Sequence, residues 1–154
     1  MNAARFIASG FGAGYAPKAP GTAGSVVGLA LGAACLAISP WLLAAGTLAA
    51  TLGGLASIRS ATGMNWRAET TDDHEDPGWI TIDEIAGQML ALLALPRPTW
   101  LGALLAFALF RALDITKPGP IGRADRAGGT LGIMADDLLA GLAAALLIVP
   151  LRWA

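Results

Sequence analysis

The sequence predicts an all-α protein, a compact bundle of about five to six helices, embedded in a membrane or associated with one. Hydrophobic residues make up 55% of the chain and charged residues 14%, against roughly 25% charged in ordinary soluble domains. No Asp, Glu, Lys or Arg occurs between Lys18 and Arg59. No strand-like alternation or internal repeat argues for a sheet. The 154 residues leave room for one sizeable core, so a single domain spans 1–154.

Taken in order, residues 10–25 carry five glycines and two prolines and read as a loop with special backbone angles. Thr22 is a candidate N-cap for the helix after that loop. From Thr22 to Ile58 two helices of about 17 residues fit, divided at Ser39-Pro40, and form a membrane hairpin or a buried one. Residues 59–80 are a polar, acidic connector. A helix opens at Thr81-Ile82-Asp83-Glu84 and runs to Leu95, where Pro96-Arg97-Pro98 ends it. Another runs from Trp100 to Ile115 and stops at Lys117-Pro118-Gly119-Pro120. After a polar loop with Gly128, Gly129 and Gly132, the last helix covers Ile133 to Val149. The apolar runs after Glu84 are shorter than the ~20 residues of a clean span and read as packed bundle helices with charged ends near the interface. Trp41, Trp100 and Trp153 lie near helix ends, as interfacial anchors or as core.

Composition also excludes classes. A net charge of −1 offers no basic footprint for nucleic acid. Cys35 is the sole cysteine, so there is no intramolecular disulfide, and its apolar run predicts a small buried thiol. His74 is the sole histidine and reads as a solvated loop residue, which disfavours zinc and histidine catalysis. The start of the chain lacks a continuous apolar stretch of secretory type.

Seventeen of the 21 charged residues fall in Arg59–Glu84 and Arg111–Asp137. Carboxylates gathered in an apolar chain are costly unless a cation compensates them. Each group has two readings. Thr81 and Glu84 have the spacing of a capping box, which leaves Asp83 unexplained. Arg111 and Asp114 are three apart, neighbours on one helix, as an ion pair or as part of an ion cluster reaching Lys117. Asp136-Asp137 could be first-turn acids complementing a helix dipole, or like charges held together by a cation. Taken together, Asp83, Glu84, Asp114, Asp136 and Asp137 form a candidate oxygen-ligand set for Mg²⁺. The glycine-rich loop matches neither nucleotide-binding fingerprint, yet its backbone and Lys18 could approach a phosphate.

These blocks, in this order, resemble the phosphatidylglycerophosphatase A family. The residues that carry the resemblance are Gly10-Phe11-Gly12 with Pro17-Lys18-Ala19-Pro20-Gly21-Thr22, and Asp76-Pro77-Gly78 with Ile82-Asp83-Glu84. Phe110-Arg111, Asp114, Lys117-Pro118 and Pro120-Ile121 come next, then Gly132, Met134, Asp136-Asp137 and Ala140-Gly141. The chain departs from the family at Ala23, Thr116 and Gly119, where bulky aromatics are common, and near Thr130, which leaves the roles of Asp125 and Gly128-Gly129 open.

The resemblance implies a Mg²⁺-dependent lipid phosphatase of the bacterial inner membrane, with its site on the cytoplasmic side. It would convert phosphatidylglycerophosphate to phosphatidylglycerol. By position, Asp83, Glu84, Asp114, Asp136 and Asp137 carry over as catalytic and metal candidates. Lys18, Thr22, Arg111 and Lys117 carry over as phosphate-binding candidates, Arg111 and Lys117 being read as phosphate ligands rather than as the acids' salt-bridge partners. Attack by water and a phospho-aspartyl intermediate are both compatible with this set. The sequence sets no oligomeric state. A different class, a small cation transporter or channel subunit, would instead show broken helices meeting at the bilayer midplane. A CDP-alcohol phosphotransferase is disfavoured because its acidic motif is missing.

Overall fold

Pro40 divides the charge-free run. The residue before a proline is driven out of the α region, and Ser39 is extended, with φ −166° and ψ 139°. Its hydroxyl accepts a hydrogen bond from Trp41 N at 3.2 Å and so caps the helix that Pro40 begins. The computed structural model describes residues 2–69 and 77–151. Seven α-helices lie among them: α1 (Ala3–Ala8), α2 (Pro20–Ile38), α3 (Pro40–Thr62), α4 (Ile82–Leu92), α5 (Trp100–Thr116), α6 (Pro120–Ala127) and α7 (Gly129–Leu151), with a 3₁₀ turn at Ala13–Tyr15. The all-α expectation holds, and α1 and α6 are the short additions to the expected set.

Several boundaries differ from the sequence reading: α3 runs past Ile58 to Thr62, into the expected connector, and α4 ends at Leu92 rather than Leu95. Helix α2 starts at Pro20, so residues 20–25 are helical, and Thr22 sits inside the first turn rather than at the cap. The cap position is Ala19, in the left-handed region with φ 47° and with no side-chain cap. Pro20 needs no N–H partner at that position, and the glycines are there for packing. A Cβ on Gly24 would come within 2.7 Å of Thr81 Cβ, and one on Gly28 within 2.8 Å of the Ile85 carbonyl oxygen, so α2 lies close against α4. The polar segment after Pro120 is the helix α6 rather than a loop. Helix α7 begins at Gly129, four residues earlier than expected, which takes Asp136 and Asp137 out of its first turn.

Helix α4 is the centre of the bundle, with α2, α3, α5 and α7 packed around it. Ile85, Met89 and Leu92 of α4 join Leu43, Ile58, Phe110, Met134 and Ile148 in one core. Helices α4 and α7 meet backbone to backbone: a Cβ on Gly141 would lie 2.2 Å from the Gly87 carbonyl oxygen, and one on Gly87 2.5 Å from the Asp137 carbonyl oxygen. That approach sets the acids of α4 beside those of α7. Gly141→Ala should therefore force the helices apart and destabilise the protein by about 1–3 kcal/mol, read as a lower melting temperature in detergent.

Helices α2, α3 and α7 are each long and apolar enough to cross a membrane. The earlier start of α7 is what gives it that length. Large apolar side chains on the outer faces lie open, with Ile38 77% and Leu146 65% exposed, as expected where lipid completes the packing. Trp41 and Trp100, 83% and 74% exposed, are not core residues. Trp153 and His74 lie outside the described residues. Cys35 is half-buried rather than buried.

Candidate active site

Five carboxylates on three helices converge at one end of the bundle. Asp83 and Glu84 come from the first turn of α4, Asp114 from the last turns of α5, and Asp136 and Asp137 from α7. Oxygens of Asp83, Glu84 and Asp137 lie within 4.8 Å of one another, and so do oxygens of Asp114, Asp136 and Asp137, so that Asp137 is common to both groups. Asp83, Asp136 and Asp137 are each at most 5% exposed, which rules out a solvated acidic face.

Two structural explanations of the acids fail, while the Arg111–Asp114 ion pair and the first-turn position of Asp83 and Glu84 in α4 stand. The Thr81 hydroxyl makes no capping bond, and its oxygen is buried without a hydrogen-bond partner, so the capping box is not formed. Asp136 and Asp137 are too far into α7 to complement its N-terminus. Asp83 Oδ1 and Asp137 Oδ1 are buried with no hydrogen-bond partner. Buried carboxylate oxygens left over in this way, converging with three others, fit a hard divalent cation.

The basic residues join the same cluster. Arg111 Nη1 pairs with Asp114 and approaches Ser25 Oγ at 3.4 Å. Lys117 Nζ bonds Asp136 Oδ2 at 2.6 Å and also pairs with Asp125. Both are thus salt-bridge partners of the acids here, which corrects the expectation on that point. Burial opposes the Lys117 charge, but the hydrogen bonds from its ammonium to Asp125 and Asp136 outweigh it and raise the pKa, so the ammonium stays charged.

The start of α2 closes the site. A Cβ on Gly21 would lie 2.3 Å from Glu84 Oε1 and 3.5 Å from Arg111 Nη1. A Cβ there would displace the Glu84 carboxylate, so the glycine keeps Glu84 against the uncapped first turn of α2, Thr22 included. Lys18 is exposed on the preceding loop and joins no hydrogen bond or ion pair of the site among the described residues.

Sequence reasoning left the role of Asp125 open and missed Ser25 and Gln88. Asp125 reaches Lys117 only because residues 120–127 are helical. Ser25 stands in a stretch that resembles a loop. Gln88, fully buried one turn beyond Glu84 with no hydrogen-bond partner, is an ordinary residue in sequence. A polar residue four places after an acid in an otherwise apolar helix was the available signal for Gln88.

Burial raises the Asp83 carboxyl above its ordinary value of 3.8, and the Asp114 charge adds to this against hydrogen bonds from its surroundings that lower it. A carboxyl raised in the folded state stabilises the fold below its unfolded value, and that contribution is lost as pH rises through the folded value. The melting temperature in chelator should therefore rise as pH is lowered through the folded value, with a smaller rise for Asp83→Asn.

The transporter alternative called for broken helices, whereas α2 and α3 are continuous. The sequence profile of the phosphatidylglycerophosphatase A family matches residues 6–152. A protein of Haemophilus influenzae named phosphatidylglycerophosphatase A is 35% identical over 156 residues, covering 99% of this chain and 91% of the relative. Another of that name, from Escherichia coli, is 36% identical over 142 residues, 90% of this chain and 77% of the relative. A Bacteroides thetaiotaomicron protein named putative phosphatidylinositol-3-phosphatase is 36% identical over 152 residues, 96% of this chain and 92% of the relative. No solved structure matches. With its acids and bases gathered at one end of an apolar bundle, the chain belongs to the phosphatidylglycerophosphatase A family and is a phosphatase.

Proposed function

We propose that this protein is a Mg²⁺-dependent phosphatase that removes the terminal phosphate of phosphatidylglycerophosphate to leave phosphatidylglycerol. The observation that carries the reading is the convergence of five carboxylates with Arg111 and Lys117 beside the open first turn of α2. The reading also takes its substrate from the two relatives named phosphatidylglycerophosphatase A.

Asp83, Glu84, Asp114, Asp136 and Asp137 would hold the metal. When bound there, Mg²⁺ supplies charge compensation and Lewis-acid polarisation of the phosphate monoester. Arg111, Lys117 and the N–H groups at the start of α2 take the phosphate oxygens, the helix end favouring negative charge. Asp114 and Asp136 orient the two bases while they wait. A water oxygen forms the new bond to phosphorus as the bond to the glycerol oxygen breaks. The water's proton passes to a carboxylate of the cluster, and that proton is delivered to the departing glycerol oxygen.

The charge pattern favours a cytoplasmic site at a bacterial inner membrane. Of the ten Lys and Arg, Arg5, Lys18, Arg59, Arg67, Arg111, Lys117, Arg123 and Arg126 belong to segments at the site end, and only Arg97 among the described residues lies at the other. Positive residues collect on the cytoplasmic side.

Purified protein in detergent should release phosphate from phosphatidylglycerophosphate with Mg²⁺ and stop with chelator. The Bacteroides relative's name supports a second reading, in which the monoester sits on an inositol lipid. Faster release from phosphatidylinositol 3-phosphate would favour it, and release from neither lipid would overturn both.

A further inference from the structure

A groove of about 350 Å³ runs along the outside of the bundle between α5, α6 and α7. Leu113, Pro118, Ile121, Leu139, Ala143 and Leu146 line it, and no polar side chain does. Its upper end lies next to the site, since Pro118 in its lining follows Lys117 directly. On α7, Asp136, Leu139, Ala143 and Leu146 succeed one another at spacings of three and four, so they form a single stripe down one face. On α5, Leu113 lies four residues before Lys117, whose ammonium bonds Asp136 at 2.6 Å. The groove therefore begins one turn from Asp136 along α7 and beside Lys117, through Pro118. From Leu139 to Leu146 it descends about 10 Å along a helix long and apolar enough to span the membrane.

We propose that this groove seats one acyl chain of the lipid substrate, with the phosphate held above it at Arg111 and Lys117. The proposal rests on the lipid phosphatase reading and adds where the lipid's tail is recognised. Continuity with the charged site singles out this groove. A second apolar groove, between α2, α3 and α4, includes Leu31, Cys35, Ile82, Ile85 and Met89. It opens on the face of α4 that packs toward α3, away from the acids facing α7. An acyl chain there would leave its headgroup on the wrong side of α4. The wide rim at Gly119, where a Cβ would meet nothing within 4 Å, leaves the entrance beside Lys117 open.

Two measurements test this. The first is hydrolysis of dipalmitoyl and of dihexanoyl phosphatidylglycerophosphate in mixed micelles, by the unaltered protein and by Ala143→Trp, which fills the groove midway. The ratio of kcat/KM for the long chain over the short one should fall about tenfold, through KM. An unchanged ratio overturns the proposal, whatever happens to the two rates. The second measurement needs no turnover and no variant. Phosphatidylglycerophosphate carrying a diazirine midway along one acyl chain is photolysed with the unaltered protein, and the labelled peptides are mapped. Label on 139–146 supports the groove, and label confined to 31–35 and 46–54 overturns it. Labelling of 139–146 without phosphate release from any lipid would sink the phosphatase reading while leaving the tail site standing.

Discussion

Asp137→Asn should abolish phosphate release and at the same time raise the melting temperature of the protein in chelator. Asp137 is the residue common to both carboxylate groups, so replacing one of its oxygens by an amide nitrogen degrades either cation position. The expected loss in kcat is about a thousandfold or more, the scale of removing a principal stabiliser of charge in a transition state. Stability should move the other way. The carboxylate is buried, its Oδ1 has no hydrogen-bond partner, and Asp83, Glu84, Asp114 and Asp136 crowd it with like charge. A neutral amide relieves that repulsion, for a gain of about 1–2 kcal/mol in the absence of cation. Added Mg²⁺ should raise the melting temperature of the unaltered protein and leave that of Asp137→Asn nearly unmoved. A variant that keeps normal phosphate release would remove Asp137 from the metal site altogether.

Arg111→Met comes second, with an expected fall in kcat of about 10²–10³-fold. Its complication is the ion pair with Asp114, whose side chains are only 16% and 12% exposed. Removing one partner of a buried pair leaves the other uncompensated, at roughly 3–5 kcal/mol. Loss of activity in the single variant could then follow from loss of the fold. The double variant Arg111→Met/Asp114→Asn separates the two effects. It should recover most of the melting temperature and little of the activity, since the phosphate cation and one carboxylate of the metal set are both missing. Recovery of both would reduce Arg111 to the counter-ion of Asp114.

Much of the site is legible without the fold, because a carboxylate in an apolar chain has few reasons to be there. Asp83, Glu84, Asp114, Asp136 and Asp137 stand out by composition, and they do converge. The readings that fail rest on local punctuation. Pro118-Gly119-Pro120 and the charges after it look like a loop, yet a proline at the first helical position suits a helix start, and α6 forms against α7. Nothing local therefore places Asp125 beside Lys117. Gly128 and Gly129 look like residues that end a helix. Gly129 has φ 67°, and a Cβ there would lie 2.7 Å from Ala68 N, so tertiary contact demands the glycine at the first position of α7. Lys18 stands exposed on the loop before α2, where nothing in its neighbours fixes the direction of a point charge.

The one-residue link at Ser39 has a consequence for handling the protein in vesicles. At the end away from the site, α2 passes into α3 through Ser39 alone, and α4 into α5 through residues 93–99. Among the described residues, a protease or a membrane-impermeant label added from that side meets only Ser39 and the seven residues 93–99 outside helices. From the other side it meets the loop before α2, the segment between α3 and α4, and α6. Digestion of sealed vesicles thus reports orientation directly: molecules facing one way are cut and those facing the other stay whole. The uncut fraction counts the sites hidden from added substrate.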